Sequence, residues 1–188
     1  MVMVNESLAR AIADGRFEET ELGLFVPSER SLVKGLFCYG KRGEELEYSD
    51  NLVVTEGLDY IVGVALKAVT RIDNWYIAPF SGAVTVQATW TAANFTSNST
   101  EVTGYVSATR PAWTGGSVSS GAVDSFASKA SFEASSSITI RGAGMISVST
   151  KSATTGTLLG ASRFASDKVL DTGEILDVGY GLTITAVT

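Results

Sequence analysis

The stretch Ile175–Val187 reads ILDVGYGLTITAV and places Leu176, Val178, Tyr180, Leu182, Ile184 and Ala186 on one side of an extended chain. Asp177, Thr183 and Thr185 fall on the other side. A period of two matches a strand with one face buried and does not match a helix, whose apolar positions recur every three or four residues. Just ahead of it, Asp171-Thr172-Gly173 supplies turn residues after Lys168–Leu170 and predicts a hairpin. The same alternation recurs upstream. Val84, Val86, Ala88 and Trp90 oppose Thr85, Gln87 and Thr89; Ile138 and Ile140 alternate with Thr139 and Arg141; Ile146 and Val148 alternate with Ser147 and Ser149. Phe126, Ala130 and Phe132 place a further strand within Asp124–Ala134. Several short strands separated by Gly- and Ser-rich turns predict a mainly β protein, an antiparallel β-sandwich or jelly roll.

One helix is expected to pack on that sheet, over Thr55–Val69. Thr55 can cap the exposed amides, Glu56 and Asp59 suit the positive N-terminal end, and Lys67 and Arg71 suit the other. Leu58, Ile61, Val62, Ala65, Leu66 and Val69 recur at spacings of three and four, which predicts one core-facing stripe.

Charge divides the chain near residue 73. Residues 1–73 carry 13 acidic and 8 basic side chains, residues 74–188 only 7 and 6, and the second part holds 35 Ser or Thr among 115 residues. Thr and Val suit a pleated, half-buried surface. The predicted organisation is an N-terminal arm over 1–47, expected to make many of the intersubunit assembly contacts, with a short helix reaching about Ala13 followed by extended segments punctuated by Gly23, Pro27, Gly35 and Gly40, and a body over 48–188.

Composition narrows the chemistry. The 188 residues include no histidine, which removes the usual general base for serine or thiol nucleophiles and the commonest zinc ligand. A formal charge of −6 without clustered Lys or Arg argues against binding nucleic acid or an anionic membrane. Cys38 is the sole cysteine, so no intrachain disulfide can form. The longest apolar run, Leu58–Val69, is interrupted by Asp59 and Lys67 and is too short to span a bilayer. The N-terminus lacks the apolar core of a secretory signal, so a soluble protein is expected and Asn94-Phe95-Thr96 and Asn98-Ser99-Thr100 read as polar loop rather than glycosylation sites.

Three motifs could carry chemistry, and each lacks its context. Gly35–Lys41 has the two glycines and lysine of a phosphate loop, but Arg42 stands where a magnesium-binding hydroxyl is needed; the segment reads as a strand ending in a Gly-Lys-Arg-Gly turn. Ser31 and Lys34 have the helical spacing of a serine nucleophile and lysine base, in a stretch that reads as extended. Glu44, Glu45, Glu47 and Asp50 lack calcium-loop spacing and read as a solvated turn. The expectation is therefore no enzyme, no cofactor and no metal.

Trp75, Tyr76 and Phe80 read as core, whereas Trp113, in Arg110-Pro111-Ala112-Trp113-Thr114-Gly115-Gly116, lies in a loop suited to partner contact. The residues expected to touch partners are Leu24, Phe25, Phe37, Tyr39, Arg110 and Trp113.

The order of segments resembles tailed-bacteriophage virion structural proteins. The resemblance rests on Asn51-Leu52-Val53-Val54-Thr55-Glu56-Gly57-Leu58, Trp75-Tyr76-Ile77, Arg110-Pro111-Ala112-Trp113, Ile138-Thr139-Ile140-Arg141-Gly142-Ala143, Gly156-Thr157-Leu158 and the strand after Gly173-Glu174. It covers roughly residues 48–188 and departs from the pattern at Ala78-Pro79. It implies a capsid decoration or cement protein, made in the host cytoplasm and placed on the virion surface. Its implied partners are the major capsid protein and copies of itself, as a homo-oligomer for which a trimer would suit many capsid sites. The alternatives are a tail, neck or fibre-base component, or a glycan- or receptor-binding module. No catalytic residue is implied.

Overall fold

A computed structural model describes the backbone of residues 18–20, 23–25 and 30–187 and the side chains of 33–185. Residues 33–183 make one compact unit; the antiparallel pair β1 (Glu18–Thr20) and β2 (Gly23–Phe25) belongs to a second. The short helix expected before Ala13 lies outside the described residues.

The body is mainly β, as its alternating sequence requires. Its strands are β3 (Arg30–Lys41), β4 (Glu47–Val53), β5 (Trp75–Phe80), β6 (Ala112–Trp113), β7 (Ala122–Asp124), β8 (Ala130–Glu133), β9 (Ile138–Ile146), β10 (Leu158–Leu170) and β11 (Ile175–Val187). Two helices accompany them among the described residues, α1 (Thr55–Leu66) and α2 (Ala92–Ser99). The strands form one antiparallel sheet in the order β6-β5-β9-β10-β4-β3-β11-β7, with β8 also pairing on β11. The sheet curls on itself into a sandwich-like body. Its two end strands come within hydrogen-bonding reach: the Trp113 indole N–H donates to the Tyr180 carbonyl at 2.9 Å, and Gly116 N–H donates to the Asp124 carbonyl at 2.7 Å. Strand β4 joins the two halves, pairing with β3 from Glu47 to Asn51 and with β10 at Leu52 and Val53.

Curling gives the sheet two apolar faces. Phe37, Tyr39, Ile77, Phe132, Ile140, Met145, Leu176 and Tyr180 fill the inner core. On the outer face a second core of Ala78, Phe80, Trp90, Phe95, Ile146 and Leu158 lies under α2. Alternation along β5 serves both at once, sending Trp75 and Ile77 inward and Ala78 and Phe80 outward. Phe80, Trp90 and Phe95 meet edge to face, their centroids 6.1–6.3 Å apart, a favoured arrangement of ring quadrupoles.

Several expectations are corrected. The boundary at residue 47 falls too late, because β3 sits between β4 and β11 and contributes Phe37 and Tyr39 to the inner core. The Asp171-Thr172-Gly173 turn forms, with Gly173 at φ +86°, but it is no hairpin: β10 and β11 pair with different neighbours. The turn instead docks on the end of β8, through Gly173 N–H to Ala134 O and Ala134 N–H to Glu174 O. Val84, Val86 and Trp90 keep their inward side, yet residues 81–90 form no ladder; they lie as irregular chain over the outer core. The polar loop expected at residues 94–100 is mostly α2, whose buried Ala92, Phe95 and Ser99 follow helical spacing.

Helix α1 exists where predicted, but its caps and packed face differ. Val54 is the N-cap, Thr55 donates its N–H to the Ala88 carbonyl, and the Glu56 carboxylate accepts from the N–H groups of Ala92 and Leu158. It thereby anchors the start of α2 to the start of β10. The inward side is made by Gly57, Tyr60, Ile61, Gly63 and Val64, while Leu58, Val62 and Leu66 face out. Small residues set the inward side because the helix runs against β10: a Cβ at Gly57 would stand 2.1 Å from the Leu159 carbonyl oxygen. Replacing Gly57 by Ala is expected to cost about 1–3 kcal/mol through overpacking, despite alanine's roughly 1 kcal/mol better helix propensity. Denaturant unfolding measures this, and an unchanged midpoint would mean that α1 can stand off from β10.

Candidate functional surface

Of the residues singled out in the sequence as partner contacts, Phe37, Tyr39, Arg110 and Trp113 have described side chains, and these four do not gather on one exposed surface. Leu24 and Phe25 lie on β2, and their side chains are outside the described residues. Phe37 and Tyr39 are wholly buried: Phe37 packs against Tyr180 at 4.8 Å between centroids, and Tyr39 stacks on Phe164 at 3.7 Å. Both are inner-core residues because β3 is an internal strand. Trp113 is half-buried on β6, its N–H held by Tyr180 and its ring covered by Gly115, where a Cβ would meet the indole at 2.3 Å.

Arg110 is also interior, for an electrostatic reason. Its guanidinium forms a two-pronged bond to Glu101, Nε to Oε1 at 2.8 Å and a terminal nitrogen to Oε2 at 2.7 Å, with neither side chain exposed. Its remaining donors reach the carbonyls of Val148 at 2.9 Å and Ala153 at 3.5 Å. Glu101 Oε2 also accepts from Thr96 Oγ1 and Ser152 N–H. The pair thus ties the end of α2 to the chain leaving β9. Beside it, Lys151 Nζ lies 3.6 Å from the centroid of the Tyr105 ring and donates to the carbonyls of Thr103 and Tyr105.

Four further carboxylates pair with cations around the sheet. Glu47 accepts from Lys168 and Ser166, Asp167 from Arg141 and Arg163, Glu174 from Lys41, and Asp177 from Arg42 and Ser131. Hydrogen bonds from Lys168 and then Ser166 lower the Glu47 pKa, those from Arg141 and Arg163 lower that of Asp167, and that from Lys41 lowers that of Glu174. Burial alone would raise Asp177, but the Arg42 and Ser131 bonds bring it below its ordinary value. Glu47 therefore serves in a cross-strand ion pair rather than a solvated turn. Ser31 and Lys34 stand on strand β3, where a three-residue separation does not bring side chains together as it would on a helix. Gly35–Lys41 is part of the same strand, followed by a turn with Gly43 at φ +91°, in keeping with its predicted form.

What remains on the surface is an apolar stripe. Leu58, Val62 and Leu66, four residues apart, lie along the outer side of α1 and are 39%, 53% and 76% exposed; Val69, just past the helix, is 47% exposed. These are the residues expected to face the core. The sequence signal that could have found this surface is that α1 is apolar on both sides, with Tyr60, Ile61 and Val64 on one and Leu58, Val62 and Leu66 on the other. The sheet can cover only one of them. Among the described residues, no cluster of three or more Cys, Asp or Glu is placed to hold a metal, and no helix is long and apolar enough to cross a membrane.

Comparison with family models, with curated proteins and with solved structures found no match.

Two predictions follow from the charges. Glu101→Gln leaves the Arg110 cation buried without its counter-charge and is expected to destabilise by about 3–5 kcal/mol, read by denaturant unfolding. Replacing both partners by apolar residues of similar volume should recover most of that loss. For pH, the four carboxylates titrate lower in the folded state than in the unfolded chain. Their contribution is fully present above the ordinary carboxylate range of about pH 4 and is lost as pH falls from there through their lower folded values. With no histidine to titrate, melting temperature should be flat between about pH 5.5 and 7.5 and decline as pH falls below that window.

Proposed function

We propose that the protein is a non-enzymatic phage virion structural protein, a capsid decoration or cement protein that binds the outside of the head through contacts with shell subunits and with copies of itself. The observation that carries this reading is the exposed stripe of Leu58, Val62 and Leu66 on a helix otherwise packed against a curled sheet. Contiguous exposed aliphatic side chains on a folded body mark a surface meant to be covered. The order of segments that resembles phage virion proteins supports reading that cover as shell subunits.

The energetics suit attachment to a repeating lattice. Completing the burial of three partly exposed aliphatic residues stabilises a contact by roughly 1 kcal/mol each, too little to hold one subunit alone. Linked copies on a regular shell convert later contacts into intramolecular ones and raise the overall affinity. A tail or neck component could use the same stripe, and copy number separates the two: hundreds per particle for a head protein, far fewer for a tail part. The glycan-binding alternative relied on an exposed Trp113, and that ring lies half-buried against β11.

The proposed N-terminal contribution to assembly is best addressed by removing residues 1–29, since a cut at residue 47 would take away β3 and its core side chains. The stripe is tested by Val62→Asp with Leu66→Asp. Both side chains are more than half exposed, so folding stability should change little, within about 0.5 kcal/mol for each substitution. Copies bound per purified particle should fall at least tenfold. Full occupancy by the double variant would refute the role given to this face.

A further inference from the structure

Inside the curl, beneath α1, the side chains of Tyr60, Trp75, Trp113, Met145, Leu159 and Leu182 surround a cavity of about 170 Å³. We propose that this cavity is a binding site for a small uncharged apolar molecule, the size of a single aromatic ring or a short branched hydrocarbon. The inference is independent of the virion role.

Three observations converge on that ligand class. The first is size: a cavity of about 150 Å³ with aliphatic and aromatic walls stays dry and takes up benzene or xenon. The second is the chemistry of the walls, which contain no charged side chain and in which the polar atoms of Tyr60, Trp113 and Tyr180 are engaged within the protein. The Tyr60 hydroxyl accepts from Ile72 N–H at 2.7 Å, the Trp113 N–H donates to Tyr180 O at 2.9 Å, and the Tyr180 hydroxyl accepts from Asn51 Nδ2 at 3.3 Å. Water entering the space would find few of the two to four partners it needs, and a charged or strongly polar ligand would lose its hydration without replacement. The third is construction. The walls come from α1 and from six strands, β5, β6, β7, β9, β10 and β11, so the space is held open by backbone ladders rather than by mobile side chains. Tyr60, Ile61, Trp113, Val123 and Leu182 are only partly buried, which leaves a mouth on one side. Entry there requires no separation of strands.

Benzene and xenon serve as probes on the full chain. Two of the three tryptophans line the cavity, so saturable quenching or enhancement of their fluorescence is expected with benzene. In methyl-resolved NMR the signals of Met145 and Leu159 should shift, while that of Leu66 on the outer side of α1 should not. At benzene ten times above its dissociation constant, the melting temperature should rise by about 3–6 °C. Val123→Phe or Leu182→Phe, each placed at the mouth, should fill the space and abolish these responses while keeping the fold. The proposal fails if the intact chain shows no shift of the Met145 and Leu159 methyls at saturating probe, or if the shifts centre on the outer stripe. It also fails if either folded filling variant binds benzene as the intact chain does.

Discussion

An indole N–H donating to a main-chain carbonyl joins β6, at one end of the strand order, to β11, next to the other end. The bond itself contributes about 1 kcal/mol, as an ordinary hydrogen bond does. Its importance lies in what it marks, because the sheet has curled far enough for its first and last strands to meet. An open sheet of this many strands would leave two edges and two large apolar faces in water. Curling removes most of the first problem and encloses one of the faces. Trp113 can take this position because Gly115 has no side chain to compete with the ring, and because Tyr180 lies on the inward side of β11.

The outer face sets the second constraint. With Ala78, Phe80, Ile146 and Leu158 pointing away from the inner core, the curled sheet still needs a cover. Helix α2 and the chain over residues 81–90 provide it, pinned by the Glu56 carboxylate at one end of α2 and by the Glu101–Arg110 pair at the other. A fully buried ion pair is costly to desolvate and is tolerated only where its geometry is satisfied; here each partner has further hydrogen bonds to backbone or hydroxyl groups. Charge is thus spent on fastening loops to the body. The same holds at the surface, where Glu47, Asp167, Glu174 and Asp177 each pair with a cation from another segment of the chain. This use of ionisable groups, with aliphatic side chains left outward on α1, underlies the reading of the protein as an assembly component.

Much of the fold was legible because alternation is a local property. The bounds of β11, the end of β3 at a Gly-Lys-Arg-Gly turn and the position of α1 all follow from neighbouring residues. Legibility ended wherever the answer depended on what lies opposite. The pattern Val84-Thr85-Val86 correctly separates an inward from an outward side, but alternation cannot say whether another strand will pair with it. The Asp171-Thr172-Gly173 turn is chemically sound, yet no residue within it reveals that the strands it joins go to different neighbours. Burial was the least legible property, as Phe37, Tyr39 and Arg110 show. Arg110 is a polar residue near Pro and Trp in sequence, and only its distance to Glu101 identifies it as interior.

By itself, then, the sequence determined a mainly antiparallel β protein with a helix starting at Thr55, without histidine chemistry and without a disulfide to hold it. Those properties belong to single residues or to short periodic runs. Tertiary structure alone decided that the sheet would close at Trp113, that β3 would be core rather than arm, and that the outward side of α1 would be Leu58, Val62 and Leu66. It also decided that a small apolar space would remain inside the curl. The physical reason is common to all four: burial, pairing and cavity volume depend on atoms distant in sequence, and a helix apolar on both sides has no preferred inward face until the sheet and its glycines select one.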